Sequence, residues 1–308
     1  MTTVETDRLS HPIGRDSAAD LQSPSPRRVM RRRALTHPGF LLGCGILALT
    51  IFVAVFAPLL TPYDPYAQTL SHRLIPPAWS AKGGWDHVLG TDGLGRDYLT
   101  RLMYGARVSL TVGIGAASMA GFIGTSLGLI GGYFGGKVDA VVMYIVNVKL
   151  ALPGLLVALS LISVFGGSLF VVVAVLGALF WDRFVVVTRT VTQQVRVNDY
   201  VTAAEALGAS RFRIIVGEIL PNVLNQIIVV ASLEMAVAIL VEAALSFLGL
   251  GIRPPTPSWG LMISEGRNFM FFQPYLVTIP GIAILVLVIG VNMLGDGIRD
   301  ITAPEGRN

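Results

Sequence analysis

The chain has 308 residues, of which 53% are hydrophobic and only 14% charged, and its mean hydropathy is +0.67. Soluble domains carry about 25% charged residues, so this composition excludes an ordinary soluble globular protein and indicates a polytopic membrane protein. The single cysteine, Cys44, and four scattered histidines offer no disulfide framework and no metal-ligand spacing, and the net charge of +4 reads as membrane topology rather than nucleic-acid binding.

Residues 1–38 are rich in Ser, Pro, Asp and Arg without apolar periodicity, which predicts a disordered, basic cytoplasmic tail. The tail ends in Arg27, Arg28, Arg31, Arg32 and Arg33, directly before an apolar run over 40–60. That run has the ~20 residues of a membrane span rather than the short core of a signal peptide, so it is expected to be a retained first helix with its N-terminus inside. Residues 39–104 therefore form a unit of first helix plus extracytoplasmic loop. In the loop, Trp79, Trp85, Tyr98 and Tyr104 are expected at the membrane interface. Gly93 and Gly95 are not a phosphate loop, because no strand precedes them and no GK[ST] follows. His37, His72 and His87 lie in loop-like sequence and read as solvated or interfacial.

A five-helix core over 105–299 follows, and residues 300–308 are a short cytoplasmic tail. Its first span, 108–132, carries Gly113, Gly115, Gly121, Gly124 and Gly128, small faces for close helix packing. The next, 138–165, contains Asn147, Lys149 and Pro153. The fourth span of the chain, 168–187, has Trp181, Asp182 and Arg183 towards its inner end. The fifth, 224–249, holds Glu234 and Glu242, and the sixth is 274–294 after an external loop over 250–273. The predicted fold is an all-α membrane protein of six transmembrane helices with both termini cytoplasmic, the Arg cluster beside the first span setting the orientation.

Between the fourth and fifth spans, within a loop over 188–221, lies a polar, small-residue island reading DYVTAAEALGASRFRIIVGEILPN over 199–222. Asp199 is expected to cap a short helix over 200–207, and Gly208 suits the left-handed residue that ends it. Ser210 is expected to cap a second helix that runs until Pro221 interrupts its backbone donors. Ala203, Ala204 and Ala206 leave the first helix nearly bare, a shape able to lie against another protein.

This helix–Gly–helix–Leu–Pro pattern resembles the EAA motif of importer permeases in the ATP-binding cassette superfamily. LGTDGLGRD, YGARVSL, GYFGGKVD, ALPGLL, EAALSFLGLGIRPPTPSWG and NMLGDGIRD occur in the order and spacing of the C-type permease of the dipeptide, oligopeptide and nickel subfamily. The resemblance implies a prokaryotic cytoplasmic-membrane protein, embedded in lipid and translocating peptides. It also implies a heterodimer with a B-type permease, two cytoplasmic ATPases that bind ATP and Mg, and an external solute-binding protein. The chain would be non-catalytic, holding no cofactor and no metal. By resemblance, Tyr200, Thr202, Ala203, Ala204, Glu205, Gly208, Ala209, Arg211 and Pro221 would couple to the ATPase. Nickel or another small solute is the alternative cargo within the family. An ion-coupled carrier using Lys149, Glu234 and Glu242 as a relay is the alternative from another class.

Several residues depart from the subfamily pattern. Thr202 stands where a glutamate is usual and is too short for a capping box, so Glu205 is expected to take over any ionic contact. Glu218 stands where His is frequent. Asn147, Lys149 and Glu234 are unusual in the membrane, and Glu242 follows the pattern nearer the outer mouth; these four are the candidate pathway residues. Lys149 and Glu234 lie roughly 16–21 Å deep by helix rise. An ionised group there costs about 2.5–3.5 kcal/mol or more, so the two are expected to face the interior and either pair directly or share a hydrated cavity. Asp182 and Arg183, about 100° apart on a helix, are poor partners for one another and are expected to reach the interface.

Overall fold

The structure is a computed structural model that describes residues 26–302; the expectations for 1–25 and 303–308 lie outside the described residues. The described chain is helical, with one isolated β-bridge between Thr91 and Asp97. Among the described residues, five helical stretches are long and apolar enough to cross a membrane: Pro38–Leu60, Tyr98–Phe134, Leu169–Arg196, Arg211–Phe247 and Tyr275–Thr302. A sixth span exists only if Gly136–Leu150 and Gly154–Phe165, bent by 79° against each other, are counted as one.

The N-terminal part corrects the expected disordered tail, because Pro26–Thr36 forms a helix, α1. Helix α2, Pro38–Leu60, follows at once, with His37 Nδ1 accepting from the Phe40 amide at 3.1 Å. The segment after α2 is shorter and more ordered than its sequence suggests. Helix α3, Tyr98–Phe134, starts ten residues before the expected span (108 − 98) because Asp97 caps it, accepting from the Thr100 amide at 2.8 Å. Trp79 and Trp85 are exposed, and Tyr104 stacks beneath the Arg107 guanidinium. Tyr98, by contrast, is buried and donates to the Leu276 carbonyl at 2.6 Å. His87 is not solvated either: it is buried, with Nδ1 2.9 Å from Asp97 Oδ1 and Nε2 3.4 Å from His72 Nδ1.

The GTDGLGRD run closes on itself and on the 250–273 region. Asp92 Oδ1 accepts from the amides of Leu94 and Arg96 at 2.8 and 3.0 Å, while Oδ2 takes the Arg96 Nε at 2.6 Å. Glu265 Oε2 then accepts from both Arg96 and Arg101, at 2.9 Å each. Two buried guanidiniums and two carboxylates thus neutralise one another, the condition for keeping ions out of water. Glu265 sits on α11, Trp259–Gly266, capped by Ser258, so the region expected as a plain loop over 250–273 contains a buried helix.

Inside the membrane region, α4 (Gly136–Leu150) and α5 (Gly154–Phe165) replace the continuous span expected over 138–165. Pro153 explains the break, since it lacks a donor and pushes its predecessor out of the helical region. Helices α6 (Leu169–Leu179) and α7 (Trp181–Arg196) form the next span, interrupted at Phe180. Glycine sets how α3 meets α7. A Cβ on Gly124 would lie 2.2 Å from the Trp181 carbonyl oxygen, and on Gly128 or Gly132 it would lie 2.8 Å from the Val185 or Arg189 oxygen. The i, i+4, i+8 stripe lets the two backbones touch.

After α8 (Asp199–Ala206) comes a single turn, α9 (Arg211–Arg213), then a π-helical stretch Ile214–Ile219, then α10 (Leu220–Phe247). Pro221 therefore does not end the second island helix. It falls in the first turn of α10, and the wider turn before it, with the Leu220 amide reaching the Ile215 carbonyl, absorbs the missing donor. The fifth span consequently begins inside the island. Helix α12, Tyr275–Thr302, closes against α2, where Gly43 faces the Gly290 carbonyl.

Candidate functional site

Two features are candidates: the island between α7 and α10, and a charged cavity between α4, α7 and α10. Helix α8 starts at Asp199 with Asn198 in the capping position and no side-chain cap bond, which corrects the expectation that Asp199 caps it. Its end is as expected. Gly208 has φ of +82°, the Ala209 amide donates to Ala204 at 3.1 Å and the Gly208 amide to Glu205 at 3.0 Å, a Schellman pattern. Ser210 caps the next turn, accepting from the Arg213 amide at 3.4 Å.

Val201 and Ile214 are buried and hold the island against Leu129 and Tyr133 of α3, with Ala204 and Ala209 half-buried beside them. Tyr200, Thr202, Ala203, Gly208, Arg211 and Pro221 stay exposed. Thr202 donates back to the Asp199 carbonyl at 2.9 Å, with the Asn198 carbonyl also within reach at 3.4 Å. Glu205 accepts from the Tyr133 hydroxyl at 2.9 Å, so its carboxylate anchors the island to the end of α3. Arg211 lies over the Phe134 ring and Arg196 donates to the Tyr133 carbonyl at 2.6 Å, which fastens the same corner. The outward surface also presents Leu207 and Phe212, 89% and 77% exposed, which composition alone did not single out. Leu207 directly precedes the helix-ending Gly208 and Phe212 lies in the turn that Ser210 caps, so the signal was an apolar residue on each of the two short helices.

The second feature lies where two chain breaks meet. Lys149, Leu150, Leu152 and Gly154 from the α4–α5 break, Phe180, Asp182 and Arg183 from the α6–α7 break, and Glu234 and Val237 from α10 line a cavity of about 260 Å³. Lys149 donates to Asp182, and Arg183 Nη1 lies 3.0 Å from Glu234 Oε1. Lys149 and Glu234 thus share a cavity but do not pair directly. Asp182 is buried rather than interfacial, and the two neighbours on α7 reach opposite ways to α4 and α10, as their angular offset requires. Glu234 Oε1 is buried and receives no hydrogen bond of good geometry, although the guanidinium is close. Asn147 is exposed, one turn back from the break, and does not line the cavity. Glu242 is elsewhere: fully buried, it accepts from Ser246 at 2.7 Å, and Ser246 in turn accepts from the Ile252 amide at 3.2 Å. It fastens the start of the segment that follows α10.

These features define a multi-pass membrane protein with a protruding helical island, and sequence comparison identifies its class. Residues 124–307 match the family described as binding-protein-dependent transport system inner membrane component, and residues 25–77 match the N-terminal TM domain of oligopeptide transport permease C. The chain belongs to this family of inner-membrane transport components. It is 45% identical over 270 residues to the dipeptide transport system permease protein DppC of Escherichia coli K12, covering 87% of this chain and 90% of that one. It is 37% identical to the di/tripeptide transport system permease protein DppC of Pseudomonas aeruginosa, over 95% and 96% of the two chains. In fold it is similar to a chain of the inward-facing MetNI methionine ABC transporter, with a TM-score of 0.51 at 17% identity, covering 66% of this chain and 97% of that one.

Proposed function

We propose that the chain is the transmembrane permease subunit of an ATP-driven importer that carries dipeptides or oligopeptides across the cytoplasmic membrane of a prokaryote. The observation that carries this reading is the 45% identity, along 87% of the chain, to a dipeptide permease. Both termini and the island face the cytoplasm, with six spans if the bent α4–α5 pair counts as one. The chain works as a heterodimer with a B-type permease, two ATPases that bind ATP and Mg, and an external solute-binding protein. It holds no cofactor itself and catalyses no reaction.

The island is the coupling element. Tyr200, Ala203, Leu207, Arg211 and Phe212 give it an outward apolar and basic surface for the ATPase cleft. Its continuity with α10 through the π-helical stretch supports direct transmission, because a push on α9 moves the same rod that carries Glu234. The Glu205 carboxylate serves the chain's own Tyr133. We therefore assign Glu205 to positioning the island rather than to an ionic contact across the interface.

The test is reconstitution in liposomes of the chain with its B-type partner, ATPases and binding protein. Labelled di- to hexapeptide is expected to accumulate only with ATP. Nickel accumulation without peptide uptake would reassign the cargo. Uptake that ignores ATP but collapses with an uncoupler would instead support an ion-coupled carrier.

A further inference from the structure

We infer that the charged cavity is a binding station for the two charged ends of a short zwitterionic peptide, with Arg183 taking the carboxylate and Glu234 the ammonium. This rests on the permease reading above and adds to it a recognition site inside the membrane chain.

Three observations converge. The backbone is broken twice at the cavity, at 151–153 and at Phe180, and non-helical backbone at membrane depth persists only where protein buries it or a hydrated cavity receives it. Discontinuous helices of this kind mark substrate sites, and the start of the twelve-residue helix α5, at Gly154, lines the cavity. Finally, Glu234 carries a buried oxygen without a well-aligned donor, while its neighbour Arg183 has a side chain that is 62% exposed. The carboxylate is thus held by an ion partner that is free to swing away, and its position suits a better-aligned donor.

Charge accounting picks the ligand. Lys149 and Asp182 satisfy each other and form one wall of the site. Opening the Arg183–Glu234 contact leaves one cation and one buried anion, and a buried ion without a partner costs several kcal/mol. A ligand carrying only an ammonium compensates the buried Glu234 but leaves the exposed Arg183 guanidinium without the counter-ion it gave up. A ligand with one ammonium and one carboxylate inserts between the two and leaves every charge paired. The volume of about 260 Å³ lies below the range of drug-sized pockets, ~300–1,000 Å³, and suits a ligand of dipeptide size.

The experiment uses the complex of this chain, its B-type partner and the two ATPases in nanodiscs, without nucleotide and without the binding protein, so that only the membrane complex sees ligand. Tritiated dialanine is the probe. Saturable binding is expected, displaced by unlabelled dialanine and at least about tenfold less well by its N-acetylated amide, the fold-change of losing charged contacts. Glu234→Gln and Arg183→Gln are each expected to weaken binding about tenfold, with partial recovery in Glu234→Asp and Arg183→Lys. Equal displacement by the capped peptide, absence of saturable binding, or variants that bind as the natural chain does would overturn the station. The capped-peptide competition uses only the natural chain, so it decides the matter even where a variant fails to assemble. ATP-driven dialanine uptake by the full transporter, measured in parallel, separates the two claims. Uptake without charge-dependent binding removes the station alone, whereas no peptide uptake at all removes both.

Discussion

The pair formed by Lys149 and Asp182 gives the sharpest energetic prediction, because its two members are not equally able to survive alone. The side chains are 21% and 10% exposed, and they tie the end of α4 to the first turn of α7. Removing one partner of a buried pair costs about 3–5 kcal/mol, since the other charge is left without compensation. Each ion also sits at the favourable end of its own helix, a cation at the close of α4 and an anion at the opening of α7, which returns about 0.3–1 kcal/mol. The lysine has a four-carbon stem that can carry its ammonium into the cavity, whereas the short aspartate cannot follow water.

Lys149→Ala is therefore expected to destabilise the chain by about 3 kcal/mol, and Asp182→Ala by about 1–2 kcal/mol. Replacing both with leucine is expected to land within about 1 kcal/mol of the natural chain, because an apolar pair of similar volume needs no solvation. The measurement is a double-mutant cycle, closed by the Lys149→Ala, Asp182→Ala double variant, by reversible SDS-driven unfolding in mixed micelles. If Lys149→Ala stays within about 0.5 kcal/mol of the natural chain, or the two losses simply add, the pair is solvated and the reasoning fails.

Gly124→Ala is expected to cost more than about 2 kcal/mol or block folding, because its Cβ would meet the Trp181 backbone oxygen, which cannot rotate away. Gly45→Ala, with nothing within 4 Å, is the matched control and is expected to stabilise α2 by about 0.5–1 kcal/mol; thermal unfolding of the two side by side checks both. Gly208→Val introduces a β-branched residue at φ of +82° without any clash, so about 1–2 kcal/mol of strain falls on the island alone. Assembly with the ATPases is then expected to persist while substrate-stimulated ATP hydrolysis falls, and a fully coupled variant would refute the island's role. Asp97→Ala removes the α3 cap and the partner of His87 together, and is expected to lose about 2 kcal/mol and to expose the segment between α2 and α3 to protease.

The elements that the sequence made legible are those written in local chemistry. Apolar runs gave the spans, Gly208 gave the turn of the island, and Ser210 gave the cap that follows it. The errors arose where tertiary partners decide. Asp97 reads as one charge in a polar loop, yet its bond to the Thr100 amide starts α3 ten residues early (108 − 98) and its other oxygen fixes His87. Pro221 reads as a stop, and a single-sequence view does not show that a π-helical stretch ahead of it lets the helix continue. Pro153 was visible, but its consequence, a 79° bend rather than a kinked span, depends on how α5 packs.

The same distinction governs the charged residues. Depth alone showed that Lys149 and Glu234 require compensation, and the shared cavity meets that expectation. The choice of partner was decided by α7, where adjacent residues diverge and so serve two different helices. Asp182 closes one pair inside the protein, and Arg183 keeps the other pair at the exposed mouth. A membrane protein that needed only stability would have gained more from apolar residues at all four positions. Retaining one closed pair beside one open pair is what a site requires if it is to stay neutral both when empty and when it holds a zwitterion.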